Sequence, residues 1–360
     1  MNTSNRHCRQ LLAHGEAKLP NVVIDSYNLE IEDDDDGFLG DKASKAAFWD
    51  ILDRSRKLFA EVGDDPLGKK TSENLGKNKL ATVLAEGGFQ AAGLVQSAVE
   101  DFAQELSRVI RRFLKEKEWR RTECLMIGGG FRGSRLGELV VGRSAVILKS
   151  KGVQIDLELI RNSPDEAGLI GTAYLLPNWM LKGYGGMLAV DIGGTNIRVG
   201  IVQLKFSKSG ALRNVSIAKS ELWRHVEDAA TRDSIVSALI RMLRKLVSWA
   251  KDNKLTLAPV VGIGCPGVIR EDGAIARGTQ NLPGDWANGA FILPDLVRDG
   301  VPCINGHETV VVMHNDAVVQ GLSELPQAAS RMHWGILTVG TGLGNARFTN
   351  RHVKTGKVKR

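Results

Sequence analysis

Cysteine is scarce in this chain. Cys8, Cys124, Cys265 and Cys303 are scattered over 360 residues with no Cys-x-x-Cys pair, which excludes a local zinc knuckle and a disulfide ladder. Long apolar runs are missing too. Nothing approaches the roughly 20 residues of a membrane span, and the opening MNTSNRHCRQLLAHG lacks the apolar core of about 7 to 15 residues found in a secretory signal. A cytoplasmic protein with no membrane partner is the expectation. Acid is absent from the C-terminal end: residues 347–360 hold six Lys and Arg and no Asp or Glu, and so carry six of the seven net positive charges. The remainder is nearly neutral and does not describe a nucleic-acid-binding surface. The basic tail 351–360 reads as a solvated end, with an anionic partner as the alternative.

What is present is a globular composition, 43% hydrophobic and 25% charged, with 40 glycines. That glycine content suggests many tight turns. After a flexible stretch 1–20, Asn21 to Glu30 reads as a strand. The acidic run Glu32 to Asp36 lacks the alternating spacing of a calcium loop and is read as a solvated loop. Residues 43–61 have helical spacing and 62–80 form a Gly, Asp and Lys rich connector. From Phe89 to about Trp119 an amphipathic helix places Leu94, Ala98, Phe102, Leu106 and Ile110 on one stripe. Strands at 123–127 and 153–160 flank a glycine cluster, a short helix begins at Pro164, and Lys182 to Gly186 reads as a linker. Beyond it come a glycine-tipped hairpin, a helix at 232–251 and further strand and helix segments. Alternation of this kind implies an α/β protein.

Three glycine turns carry the chemistry. Asp191, Gly193, Gly194 and Thr195 in DIGGTN put a carboxylate at a strand end, where it can hold hydrated magnesium, ahead of N–H groups able to approach phosphate. Taken alone this is equally an ordinary hairpin turn. Gly340, Thr341, Gly342 and Gly344 form a second such turn between apolar strands. Gly128, Gly129 and Gly130 follow a strand in a formal G-x-G-x-x-G, with Asp156 placed 23 residues after Gly133. By itself that pattern allows a NAD-dependent dehydrogenase. Asp316, in front of an apolar helix, reads by itself as an N-terminal cap.

DIGGTN, GIGCPGVI, GTQNLPGDW, HNDA, GTGLGN and GGGFRGS together resemble the motif set of the ROK family of bacterial sugar kinases and regulators. The resemblance covers roughly residues 89–350. It implies an α/β, two-lobed ATPase fold of the actin and hexokinase type with a central cleft. It implies an ATP- and magnesium-dependent kinase acting on a glucose-like hexose. Asp191 would serve magnesium and, with Gly193, Gly194 and Thr195, the first phosphate loop. Gly340, Thr341, Gly342 and Gly344 would form the second phosphate loop, and Gly128, Gly129 and Gly130 the adenosine loop. Asn281 and Asn315 would bind sugar hydroxyls and Asp316 would be the general base. The alternative is a regulator that senses sugar or nucleotide without turnover. The N-terminal residues show an acidic run where a DNA-binding helix would be basic, so no DNA partner is expected. A homodimer is compatible with the reading.

Two departures stand out. The family's Gly-Glu-Ile-Gly-His stretch and its cysteine-rich zinc segment are absent, so no zinc is expected. His307 and Glu308 in NGHET are the nearest His and Glu pair, read either as a pocket contribution or as a turn, and the segment Tyr27 to Lys45 is the candidate to shape the sugar pocket instead. The motif order is also changed, with GGGFRGS before DIGGTN. A circular permutation accounts for this, with KGYGG joining the old ends. It expects residues near Asn350 beside residues near Asn21, and a larger lobe of 21–164 plus 316–350 with a smaller lobe of 165–315.

Overall fold

A computed structural model describes residues 13–33, 37–130 and 132–352. The readings for residues 1–12, for Asp34 to Asp36 and for the tail from residue 353 fall outside the described residues. The strands, in chain order, are β1 (Val22–Tyr27), β2 (Cys124–Gly129), β3 (Asp156–Leu159), β4 (Gly186–Ile192), β5 (Ile197–Gln203), β6 (Ser216–Trp223), β7 (Leu257–Cys265), β8 (Cys303–Ile304), β9 (His307–Glu308), β10 (Val310–Asn315), β11 (His333–Val339) and β12 (Leu343–Asn350). Two compact units share the described residues: 13–28, 165–332 and 348–352 form the first, and those between 29 and 164 together with 333–347 form the second. Residues 21–28 and 316–332, expected with segment 29–164, fall in the first unit.

The first unit carries the sheet β10-β7-β4-β5-β6. β4, β5 and β6 form an antiparallel meander, and β7 and then β10 add in parallel beside β4. Every residue of β4 is buried, as expected of a central strand covered on both faces. The helix Arg232–Asp252 packs on this sheet through Ile235, Leu239, Leu243 and Leu246. Thr231 and Ser234 close its start with a reciprocal capping box. β6 escaped the sequence reading because half of its residues are polar and none is fully buried, which suits an edge strand.

The second sheet has the order β1-β12-β11-β2-β3. β11, β2 and β3 run parallel, and β11 turns back into β12 through three residues, which makes that pair an antiparallel hairpin. Near the chain's end Thr349 Oγ1 donates to Asp25 at 2.8 Å and Arg351 N–H donates to the Asn21 carbonyl at 3.1 Å. Residues near Asn350 therefore lie beside residues near Asn21. Both sheets show one pattern, an antiparallel meander of three strands followed by two parallel ones. In the first sheet the chain runs through it as β4, β5, β6, β7, β10; in the second the same path is β11, β12, β1, β2, β3.

The second unit's core centres on the helix Phe89–Phe113, whose Val95, Phe102, Leu106 and Ile110 are fully buried. Burial of side chains of this size contributes about 1.5–3 kcal/mol each, against helix-propensity differences of at most ~0.7 kcal/mol per residue among ordinary residues, so the apolar stripe sets this helix. The connector expected at 62–80 ends early, because a helix occupies Ser72–Glu86. Its Gly76 at φ 72° interrupts the helical path, which hid the periodicity. Buried Arg56, on the helix Lys45–Ala60, donates to Asp65, Ser72 and the carbonyls of Gly68 and Lys70 and so ties the connector down. No helix among the described residues is long and apolar enough to cross a membrane.

Candidate active site

Three parallel strands of the first unit end together. Register places Asp191 of β4 beside Gly264 of β7, and Cys265 of β7 beside Asn315 of β10. The carboxyl ends of parallel strands are where open α/β sheets bind ligands, and here they present Asp191, Cys265, Asn315 and Asp316 in one row.

Asp191 is 5% exposed and packs against Gly168 of the helix Pro164–Gly171, where an added Cβ would stand 2.4 Å from the carboxyl carbon. Its partner is Arg198, directly opposite on β5. Arg198 reaches Asp191 at 3.4 Å and Asp165 at 2.5 Å. Burial raises the Asp191 carboxyl above its ordinary value and Arg198 opposes that rise. The sequence reading missed Arg198 and Asp165. Hairpin counting could have found the first, since a turn over residues 193–196 pairs Ile192 with Ile197 and Asp191 with Arg198.

Asn315, not Asp316, caps the helix Asp316–Leu322. Its Oδ1 accepts from Ala317 N–H at 3.0 Å and Val318 N–H at 3.2 Å, and its Nδ2 donates to the Gly267 carbonyl at 2.9 Å. The Asn315 side chain also hydrogen-bonds the Asp316 carboxylate and so braces it. Asp316, partly exposed, is free of the capping role. Its carboxyl is pushed up to about 7, by desolvation first and then by the Asp191 charge, against the pull of the Ala317 N–H. Burial together with the charges of Asp316 and Asp191 pushes the Cys265 thiol well above its usual range, so this cysteine is a neutral neighbour of the pair.

The first glycine turn packs against the loop carrying Asn281. A Cβ on Gly194 would lie 2.9 Å from the Asn281 Cβ and 3.1 Å from its carbonyl oxygen. That loop is pinned by buried Trp286, whose Nε1 donates to the Pro283 carbonyl at 2.9 Å and whose ring meets Phe291 edge-on at 5.3 Å. Asn281 itself is exposed. Gly193 N–H closes the turn onto the Asn196 carbonyl at 2.8 Å, and Thr195 follows at its tip. The turn thus meets the Asn281 loop inside one unit, a few residues from Asp191. His307 and Glu308 form β9 of an exposed two-residue hairpin with β8, the ordinary turn of the two readings.

In the second unit the other two glycine segments meet each other. Gly129 adopts φ 87°, and a Cβ there would fall 2.3 Å from the Val339 carbonyl oxygen. Gly130 N–H donates to that same oxygen at 2.9 Å. Gly340 N–H donates to the Gly342 carbonyl at 2.9 Å, the Gly340 carbonyl accepts from Lys45 N–H at 2.9 Å, and Thr341 is exposed at the tip. Gly128 backs onto Ile160, with 3.1 Å available to a Cβ, and Gly344 continues into β12. The dinucleotide-fold reading fails on register. Asp156 pairs with Cys124 at the start of β2, the end away from the glycines, whereas a ribose-binding acid belongs at their end.

Among the described residues no group of three or more His, Cys, Asp or Glu is gathered for a metal. Magnesium needs no such group. It takes one or two carboxylates and draws its remaining ligands from water and phosphate, a pattern that a single strand-end Asp191 suits.

The ROK family profile matches residues 187–358, a stretch containing the first and second glycine turns, Asn281, Asn315 and Asp316. Over residues 187–358 the chain is similar to the ROK family. The fold is α/β with two five-stranded sheets, and the cluster Gly128 to Gly130 lies outside the matched stretch. The chain is similar to a glucokinase of Thermotoga maritima, 31% identical over 177 residues, and the match spans 48% of this chain and 47% of that protein's length. Among solved structures, the Lmo2764 protein of Listeria monocytogenes is 20% identical over 48% of this chain and 50% of its own, with a TM-score of 0.30. A Ppx/GppA phosphatase of Aquifex aeolicus is 18% identical over 51% and 55%, with a TM-score of 0.26.

Proposed function

We propose that the protein is an ATP- and magnesium-dependent sugar kinase that transfers the γ-phosphate to a hydroxyl of a glucose-like hexose. The observation that carries this is Asp316, standing at the ends of three parallel strands with its carboxyl pushed up to about 7. A carboxylate of that strength accepts a hydroxyl proton near neutral pH and holds it as the new bond to phosphorus forms. Asn315 fixes the start of the Asp316 helix and braces the Asp316 carboxylate, and Asn315 and Asn281 would meet the sugar hydroxyls. The turn of Gly193, Gly194 and Thr195, closed by the Gly193 N–H, would offer phosphate oxygens the N–H groups of Gly194 and Thr195, and the turn of Gly340, Thr341, Gly342 and Gly344, closed by the Gly340 N–H, would serve the same purpose in the second unit. Gly128, Gly129 and Gly130 suit close approach of a nucleoside. Asp191 would hold magnesium, which neutralises phosphate charge during transfer. The similarity to a glucokinase over 48% of the chain supports a hexose as acceptor.

The order of motifs follows from a permuted chain. The common path through the two sheets, with β11 and β12 preceding β1, β2 and β3, supports this reading. A coupled ADP-release assay with magnesium and ATP across hexoses, amino sugars and polyols tests the function. Acceptor-dependent ADP release is expected. Turnover indifferent to magnesium would contradict the role of Asp191, and nucleotide or sugar binding without any turnover would point to the sensing alternative.

A further inference from the structure

We infer that His225 is a positioning residue for the first glycine turn, holding the Gly194 N–H in the direction of a phosphate oxygen. The inference rests on the kinase reading and extends it on the nucleotide side.

His225 begins the short turn His225–Asp228 after β6 and is 1% exposed. Its Nε2 lies 3.0 Å from the Gly193 carbonyl oxygen. A carbonyl only accepts, so Nε2 carries the proton and donates. The peptide joining Gly193 to Gly194 is planar and trans, so its C=O and N–H point in opposite directions. Fixing the carbonyl on the His225 side turns the Gly194 N–H away from it. Among the described residues neither Gly194 N–H nor Thr195 N–H donates to any group. Two successive unpaired backbone donors at a turn form an anion-binding concavity.

Glycine is what makes an external anchor necessary. Two successive glycines impose few steric limits on the peptide between them, so the turn alone does not select its orientation. The hydrogen bond from His225 does. The ring is itself braced: Trp223 meets it edge-on with centroids 6.1 Å apart, and Trp223 Nε1 donates to Asp228 at 2.6 Å. Donors aimed in advance at a phosphate are worth more than donors that must reorganise. His225 touches no reacting atom in this arrangement and acts through the Gly193 carbonyl.

The test uses the full chain with His225→Phe, which keeps a ring and loses the donor, and His225→Gln, which keeps a donor near the Nε2 position. His225→Asn, too short to reach the carbonyl, replaces the phenylalanine variant if that one does not fold. Binding of magnesium and ADP is measured by calorimetry, alongside KM for ATP and for sugar. The donor-less variant is expected to bind ADP about tenfold more weakly and to raise the ATP KM about as much, the scale of one well-placed hydrogen bond. Its sugar KM should stay within about threefold, and glutamine should recover ADP binding to within about threefold of the parent. Equal ADP binding by parent and donor-less variant overturns the inference and leaves the kinase reading standing. So do equal losses on ATP and sugar that glutamine fails to rescue, since a histidine serving only the core gives that result. A parent that binds ADP but phosphorylates no sugar overturns the kinase reading instead, with the ADP comparison still deciding the role of His225.

Discussion

Asp191 raises Asp316. Both stand at the carboxyl ends of parallel strands, and the charge of the first adds to desolvation in pushing the carboxyl of the second up to about 7. Asp191 keeps its own counter-charge in Arg198 at 3.4 Å. In the proposed kinase the paired Asp191 would serve the cation and Asp316 would take the proton.

The pH profile follows directly. A base must be ionised to accept, so kcat/KM for the acceptor is expected to climb about tenfold per pH unit below about 7 and to level off above it. Steady-state kinetics across about pH 5 to 9 check this. A profile already flat at about pH 5 would remove Asp316 from the role.

Stability should carry the same signature with the opposite slope. The folded Asp316 carboxyl titrates at about 7, above the value near 4 of an unfolded aspartate. Between those values the folded state binds more protons than the unfolded one, so stability falls as pH rises through that window. Asp316→Asn has no such dependence. Its Tm should exceed the parent's at pH about 8, and the two should converge by pH about 4. A constant difference in Tm across that range would contradict the shift.

Gly194→Ala should separate the turn from the loop carrying Asn281. The new Cβ would meet Asn281 Cβ at 2.9 Å, and overpacking of this kind costs about 1–3 kcal/mol. The expected result is a loss of stability in that range with a raised KM for ATP and for sugar. Unchanged constants for both substrates would show that the turn and loop yield freely.

Much of the first unit was legible in the sequence because it is built from local patterns. The hairpin of β4 and β5 announces itself by two apolar strands around GGTN, and the helix Arg232–Asp252 by its stripe. Side chains meeting across the sheet were harder. Arg198 follows from register, but His225 reaches Gly193 from 32 residues away through a polar segment with no periodicity to place it. Asp316 was expected to compete for the cap, and geometry gave the cap to Asn315 because that residue stands one position before the first helical one. In the second unit the helix Ser72–Glu86 was masked by a glycine at positive φ, whereas Leu80 and Val83 could enter the core without a clean stripe.

Relinking the chain tests the permutation. Joining the present ends and opening the chain within Gly183–Gly185, where Gly183 adopts φ 95° in the linker before β4, should give a folded protein with a Tm within about 10 °C of the parent. Gly183 is exposed, and chain opening is best tolerated at exposed linker positions. A relinked chain that circular dichroism shows to be unfolded would count against the permuted descent of β1 and β12.

The central claim is that Asp316 takes the acceptor's proton during phosphoryl transfer. ADP release with magnesium, ATP and the best hexose, measured side by side for the parent and Asp316→Asn, tests it most directly. The account predicts acceptor-dependent turnover in the parent and a kcat about 10² to 10⁴ lower in the variant, with KM values within a few fold. Equal kcat in the two proteins would contradict it.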